Sequence, residues 1–334
     1  MKKKIIIIAE AGVNHNGKLR TALKMVDVAS KAKADFIKFQ TFIPNELSQE
    51  KHGLAEYQKK YLKKKKHIDL LKKLALSFED FKKIKLRCKR RKIKFLSSPF
   101  DISSITFLNK LKLDTFKIPS GEINNVPYLK KIASFNKKII LSTGMSNLKE
   151  IISAIKIISK NGTNKKKITI LHCNSEYPAS INQLNLLSIK YLKDKLKLDV
   201  GYSDHSLGYE ASLMALCFGA TVFEKHFTLD KKLKGPDHTS SLSPNELKIY
   251  VKKLKLFQES IGKYNKKPSL IEIQNSKVLR KQIFANLNIK KGEKFTINNI
   301  TTKRGKQGIS ASKWDKVIGN ISKYNFSKDE NIKF

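Results

Sequence analysis

The sequence predicts a (β/α)8 TIM barrel followed by a small, mostly β module, and three observations carry that expectation. A short β-branched run, a polar terminus and an amphipathic helix recur eight times along the chain. The repeats fill about 260 residues, the span of one such barrel. Gly12 and Gly17, after the first run, do not form the G-x-G-x-x-G fingerprint that would favour a doubly wound open sheet. The barrel is expected over residues 1–262, a linker over 263–278 and the β module over 279–334.

The strand candidates are Ile5–Ala9, Asp35–Phe39, Ile93–Ser97, Thr115–Pro119, Lys138–Ser142, Ile168–Cys173, Leu198–Tyr202 and Thr221–Lys225. Between them, apolar residues at helical spacing predict helices over Leu19–Lys33, Phe78–Arg91, Ile102–Leu111, Val126–Phe135, Leu148–Lys160, Leu184–Lys195, Gly208–Phe218 and Pro244–Ile261. The lysine-rich segment Leu54–Leu74 also reads as helical, an insertion after the second strand. Beyond Ile261 the pattern breaks. Gly262–Asn275 is a polar connection containing Pro268, followed by strand-like pieces at Ile283–Leu287, Phe295–Ile297 and Asn331–Phe334, with a turn at Ile289–Glu293. A module of about 55 residues has little core of its own and is expected to pack against something, such as another subunit.

Composition narrows the function. Of 334 residues, 40% are hydrophobic, enough for a true core. Lys and Arg number 69 against 28 Asp and Glu, a formal charge of +41. Such a charge first suggests nucleic acid. Yet the arginines are few (Arg20, Arg87, Arg90, Arg91, Arg280 and Arg304), whereas base and phosphate recognition leans on arginine. The densest clusters, Lys63–Lys66, Lys89–Lys92 and Lys165–Lys167, lack interleaved aromatics. No nucleic-acid partner is expected. No apolar run reaches 18 residues and Met1–Ile8 lacks a signal-peptide core, so no membrane partner is expected and the location is read as cytoplasmic. Cys88, Cys173 and Cys217 are far apart with no CxxC, which argues against a disulfide framework or zinc ribbon.

In this fold the active site lies at the C-terminal ends of the strands. Those ends carry Glu10, Lys38, Ser98, Lys117, Ser120, Glu122, Ser142, Tyr177, Ser203, His205, Glu224 and His226. Any one of these fits a helix cap, but the set as a whole does not. Two lysines with Ser98, Ser120, Ser142 and Ser203 suit a small phosphorylated anion, because ammonium groups neutralise it and hydroxyls orient its oxygens. His205 and His226 end adjacent strands about 4.8 Å apart. Two imidazoles there could share a divalent ion with open positions for substrate. Hydrogen-bonded histidines fit the same spacing, and His15 and His238 are further candidates; spacing leaves these open.

Ala9–Gly17, Phe36–Thr41, Lys117–Glu122, Leu141–Met145, Tyr202–His205 and Glu224–Thr228, with Gly235–His238, resemble the sialic acid synthase family in order and spacing along the whole chain. The C-terminal module resembles that family's antifreeze-like SAF domain. Ala9-Glu10-Ala11, Ile118-Pro119-Ser120 and Ser175–Pro178 look most like the family's legionaminic acid synthases. The resemblance implies condensation of phosphoenolpyruvate with an N-acetylated mannosamine-type sugar, here 2,4-diacetamido-2,4,6-trideoxymannopyranose, to a nine-carbon 2-keto acid. N-acetylmannosamine, giving N-acetylneuraminate, is the alternative, and a polyanion-binding, non-enzymatic barrel is the alternative from another class. It further implies a divalent metal (Mn2+, otherwise Mg2+ or Co2+) on His205 and His226. Phosphoenolpyruvate would lie on Lys38, Ser98, Lys117, Ser120, Ser142 and Ser203. Glu122, Glu10 and Lys38 would be catalytic, Glu122 activating water or relaying a proton. Glu10, Tyr177, Asp237 and Arg304 would hold the sugar. Arg304 would act across a domain-swapped homodimer, although Gly305 stands where the family usually has proline.

Overall fold

A computed structural model describes residues 4–49 and 67–333. The expected helix over Leu54–Leu74 therefore lies partly outside the described residues; its end, His67–Leu74, is helical. The chain divides into two compact units, Met1–Gly262 and Lys263–Phe334.

The first unit is a barrel of eight parallel strands: β1 (Ile6–Gly12), β2 (Phe36–Thr41), β3 (Lys94–Pro99), β4 (Thr115–Ile118), β5 (Lys138–Ser142), β6 (Ile168–Cys173), β7 (Asp199–Asp204) and β8 (Val222–His226). Hydrogen-bonded neighbours run β3-β2-β1-β8-β7-β6-β5-β4. The ring closes where β3 lies against β4 without a paired ladder. The connecting helices follow the sequence expectation to within three residues at either end, for example Leu148–Lys160, where Asn147 and Glu150 form a reciprocal cap.

Period two along each strand decides what enters the barrel. Ile8, Leu96, Ile140, Leu171 and Val222 meet in one buried apolar layer on the axis. Two residues further along their strands stand Glu10, Ser98, Ser142, Cys173 and Glu224, joined by Lys38, Lys117 and Ser203. An apolar layer thus supports a polar one. The alternate residues, such as Ile7, Ile37, Phe116 and Phe223, pack outward in the larger core with the helices. Several strands run one or two residues further towards the site than the sequence suggests, β7 to Asp204 and β8 to His226.

In the second unit, residues 263–278 are not simply a linker. Leu270–Leu279 is a helix, begun by a reciprocal cap between Ser269 and Glu272, and none of its residues is buried. β9 (Lys281–Ala285) pairs antiparallel with β10 (Ile300–Arg304). The sequence reading missed β10, whose Thr-Thr-Lys-Arg run carries little apolar alternation, and the expected strand at Phe295–Ile297 does not form. Ile283, Ala285, Ile289, Phe295, Ile300, Val317, Phe326 and Ile332 form this unit's own small core. No helix among the described residues is long and apolar enough to cross a membrane.

Candidate active site

A cavity of about 520 Å3 opens at the C-terminal ends of the strands. Its floor is the charged layer. Lys38 Nζ lies 2.9 Å from Glu10 Oε1, 3.2 Å from Ser98 Oγ and 3.6 Å from Glu224 Oε1. Lys117 Nζ donates to Ser142 Oγ at 2.5 Å and lies 3.7 Å from the same Glu224 oxygen. Ser203 Oγ donates to Glu224 Oε1 at 3.1 Å. Glu224 therefore bridges both lysines from the centre of the floor. Ser120 Oγ accepts the Gly144 N–H at 3.0 Å and lies 3.3 Å from Cys173 Sγ. A Cβ on Gly144 would come within 2.4 Å of Ser175 Oγ, so the bare backbone permits this approach.

Burial pushes Glu10 up to about 8, with Glu224 adding to the effect and Lys38 opposing it. Burial also acts to raise Glu224, but Lys117 and Lys38 together outweigh it and hold this carboxyl below its ordinary value. Two neighbouring carboxyls are thus driven apart, one towards a proton donor and one towards an acceptor. The lysines diverge too. Burial lowers Lys117, offset only partly by Glu224, whereas Glu10 and Glu224 overcome burial at Lys38 and raise it.

His205 and His226 stand side by side with ring centroids 5.5 Å apart, and Tyr177 lies over His205 at 4.1 Å. His205 Nδ1 is 2.5 Å from the Asn174 carbonyl oxygen, which places the proton there and leaves the Nε2 lone pair. His226 Nδ1 is buried without a hydrogen-bond partner; Asp237 Oδ2 is 3.8 Å away. Burial lowers His205 to about 4 and His226 well below the ordinary value, the latter helped by His205. Neutral imidazoles with available lone pairs fit a divalent ion. Among the described residues no three His, Cys, Asp or Glu side chains form a metal cluster, so such an ion would have two protein nitrogens and several open positions.

All the candidates for a phosphorylated anion (Lys38, Ser98, Lys117, Ser120, Ser142 and Ser203) line the cavity, as do Glu10, Tyr177, Asp237 and both histidines. Glu122 does not. It ends a tight 3-10 turn, Ser120–Glu122, directly after the lining residues Ser120 and Gly121, and accepts a hydrogen bond from Asn125 at 2.6 Å. A three-residue turn, not strand alternation, sets its direction. Arg304 ends β10 in the second unit, exposed. His15 and His238 also lie outside the lining: His15 Nδ1 accepts the Gly17 N–H, and His238 bonds Thr228 and Asn16. The sequence reading gave Glu224 no role, although its position two residues before His226 places both on one face. It also missed the cavity's apolar wall of Val13, Phe42, Leu70, Leu71, Leu74 and Phe100.

Fold and site define a (β/α)8 barrel with a buried, doubly cationic floor and an imidazole pair at its mouth. The chain belongs to the NeuB family, whose model matches residues 25–266, and a SAF domain matches residues 280–334. It is 48% identical over 332 residues, 99% of both chains, to N,N'-diacetyllegionaminic acid synthase of Campylobacter jejuni subsp. jejuni serotype O:2. It is 40% identical to the synthase of the same name from Legionella pneumophila subsp. pneumophila, over 96% of this chain and 91% of that one. Among solved structures it resembles N-acetylneuraminic acid synthetase from Leptospira borgpetersenii serovar Hardjo-bovis, with TM-score 0.72 and 33% identity over 83% of this chain and 92% of that one.

Proposed function

We propose that this enzyme condenses phosphoenolpyruvate with 2,4-diacetamido-2,4,6-trideoxymannopyranose and water, forming N,N'-diacetyllegionaminic acid and phosphate. The observation that carries the reading is the buried floor, where Lys38, Lys117 and the Ser203 hydroxyl meet Glu224, and Ser98, Ser120 and Ser142 line the same cavity as the histidine pair. Identity of 48% over nearly the full length to a synthase of that product supports the choice of sugar.

Lys38 and Lys117 neutralise phosphoenolpyruvate, and Ser98, Ser120, Ser142 and Ser203 orient its oxygens. A divalent ion, Mn2+ by preference, held by His205 and His226 would polarise the sugar's aldehyde as a Lewis acid. The enol carbon attacks that aldehyde and a C–C bond forms. Water adds to the resulting cationic centre; the tetrahedral carbon then collapses to the keto group as its C–O bond to phosphate breaks, the remaining hydroxyl proton leaving with phosphate. Glu224, ionised between its lysines, accepts the proton from water. Glu10, kept protonated by burial, supplies one to the former aldehyde oxygen. Tyr177 and Asp237, on the imidazole side, contact the sugar.

We assign Arg304 to the sugar site of a partner in a domain-swapped homodimer. Support comes from the helix Leu270–Leu279, where Leu270 and Ile271 are 80% and 68% exposed, an apolar surface suited to cover by another chain. Use of phosphoenolpyruvate, an intracellular metabolite, supports a cytoplasmic reaction.

The test is incubation with phosphoenolpyruvate, Mn2+ and each candidate sugar, with kcat/KM compared. Higher kcat/KM for the diacetamido sugar and loss of turnover in chelator, restored by Mn2+, are expected. A preference for N-acetylmannosamine would overturn the sugar assignment, and full activity in chelator the metal.

A further inference from the structure

Behind the two imidazoles, on the outer face of the barrel, lies a buried ion pair that the reaction does not use. β7 and β8 pair with Ser203 opposite Glu224 and Asp204 opposite Lys225. Alternation sends Ser203 and Glu224 into the cavity and turns Asp204 and Lys225 away from it. There Lys225 Nζ lies 3.0 Å from Asp204 Oδ2. One residue further along, His205 and His226 face the cavity again.

The ladder between these strands ends at Asp204–Lys225, so sheet pairing does not hold His205 at a set distance from His226. The ion pair does. Asp204 Oδ1 accepts the Ser206 backbone N–H at 2.9 Å and its hydroxyl at 2.6 Å, while Lys225 Nζ donates to the Ser206 carbonyl at 2.6 Å. Both neighbours of His205 are thus tied to the residue that precedes His226. Ser212 Oγ donates to Asp204 Oδ2 at 2.7 Å and lies 3.1 Å from Tyr250 OH. Asp204, Ser206, Ser212, Lys225 and Tyr250 are each at most 1% exposed. Replacing a buried ion pair by apolar groups is often neutral for stability, which argues that this one serves geometry.

We propose that Asp204 and Lys225, with Ser206 and Ser212, form a clamp that sets the spacing of the His205 and His226 imidazoles and so the affinity for a divalent cation. They are positioning residues, as outer partners of metal ligands generally are. The inference rests on the histidine pair being the metal site.

The test uses the full chain and Mn2+ titrations followed by calorimetry, with thermal unfolding in EDTA as the structural control. The Asp204→Asn/Lys225→Met double variant removes both charges together. It is expected to unfold within a few degrees of wild type yet raise the Mn2+ Kd at least about tenfold, roughly 1.4 kcal/mol. Ser212→Ala, which loosens only one tie to Asp204, is expected to raise Kd about threefold, again without a matching loss of stability. A folded double variant whose Kd stays within about twofold of wild type overturns the clamp. If the double variant does not fold, Ser212→Ala decides, and an unchanged Kd overturns it. His226→Ala separates the two readings: wild type binding Mn2+ no better than this variant overturns the metal site and the clamp together. Wild-type binding that is lost in His226→Ala but kept in the folded double variant overturns the clamp alone.

Discussion

On the β1–β2 side of the cavity floor, Lys38 is enclosed by Glu10 at 2.9 Å and Glu224 at 3.6 Å. On the β4–β5 side, Lys117 has Glu224 at 3.7 Å and otherwise a serine hydroxyl. The same side chain, buried to the same degree, is raised at the first position and lowered at the second. Burial favours the neutral amine at both, and the local supply of carboxylate decides which way each moves. Lys117 is the lysine short of negative charge, so an incoming phosphorylated anion gains most there. The Lys38 side holds two carboxyl groups of opposed acidity, Glu10 and Glu224, and is suited to proton transfer.

Four measurements test this contrast. Glu224 belongs to both sides, and Glu224→Gln should cost most, lowering kcat about 100- to 1000-fold, as expected for a lost general base. A loss confined to KM would remove it from proton transfer.

Asp237 shows what burial does to a carboxyl with only a distant lysine: it is pushed up to about 6 by burial, against Lys38. Because the folded value exceeds the unfolded one near 4, the folded protein binds the extra proton. This contribution to stability is complete below about pH 4 and is lost as pH rises through about 6. Asp237→Asn should therefore stabilise the metal-free protein by up to about 3 kcal/mol at pH 7.5 and by almost nothing at pH 4. Equal effects in denaturant titrations at the two pH values would rule this out.

Lys117→Met should lower kcat/KM for phosphoenolpyruvate about 100-fold, and Lys38→Ala about tenfold or more, roughly 2.7 and 1.4 kcal/mol. Equal losses would erase the distinction between the two sides, and an unchanged kcat/KM in either variant would remove that lysine from the substrate site. The smallest effect should come from the surplus +41, which can steer anions towards the cavity. Raising salt from low to about 0.3 M should lower kcat/KM a few-fold, because the Debye length shrinks below 10 Å. No salt dependence would confine the useful charge to the floor.

Much of the floor was legible because strands alternate. Lys38 lies between Ile37 and Phe39, so once those two pack outward the lysine must enter the barrel. The same logic reaches Lys117, Ser142 and Ser203. It does not reach beyond the strands: Glu122 ends a 3-10 turn, and Leu270–Leu279 is capped by Ser269 and Glu272 within an apparently polar connection.

Local pattern alone therefore determined the eightfold strand–helix order and the inward course of Lys38, Lys117, Ser142 and Ser203, because each follows from the sequence period of one element. Tertiary structure decided what those groups mean to one another. Only there do Glu10 and Glu224 part in acidity, does one carboxylate bridge two lysines, and does Asp204 meet Lys225 behind the histidines. Such effects depend on separations of a few ångströms between residues distant in sequence and on the exclusion of water around them.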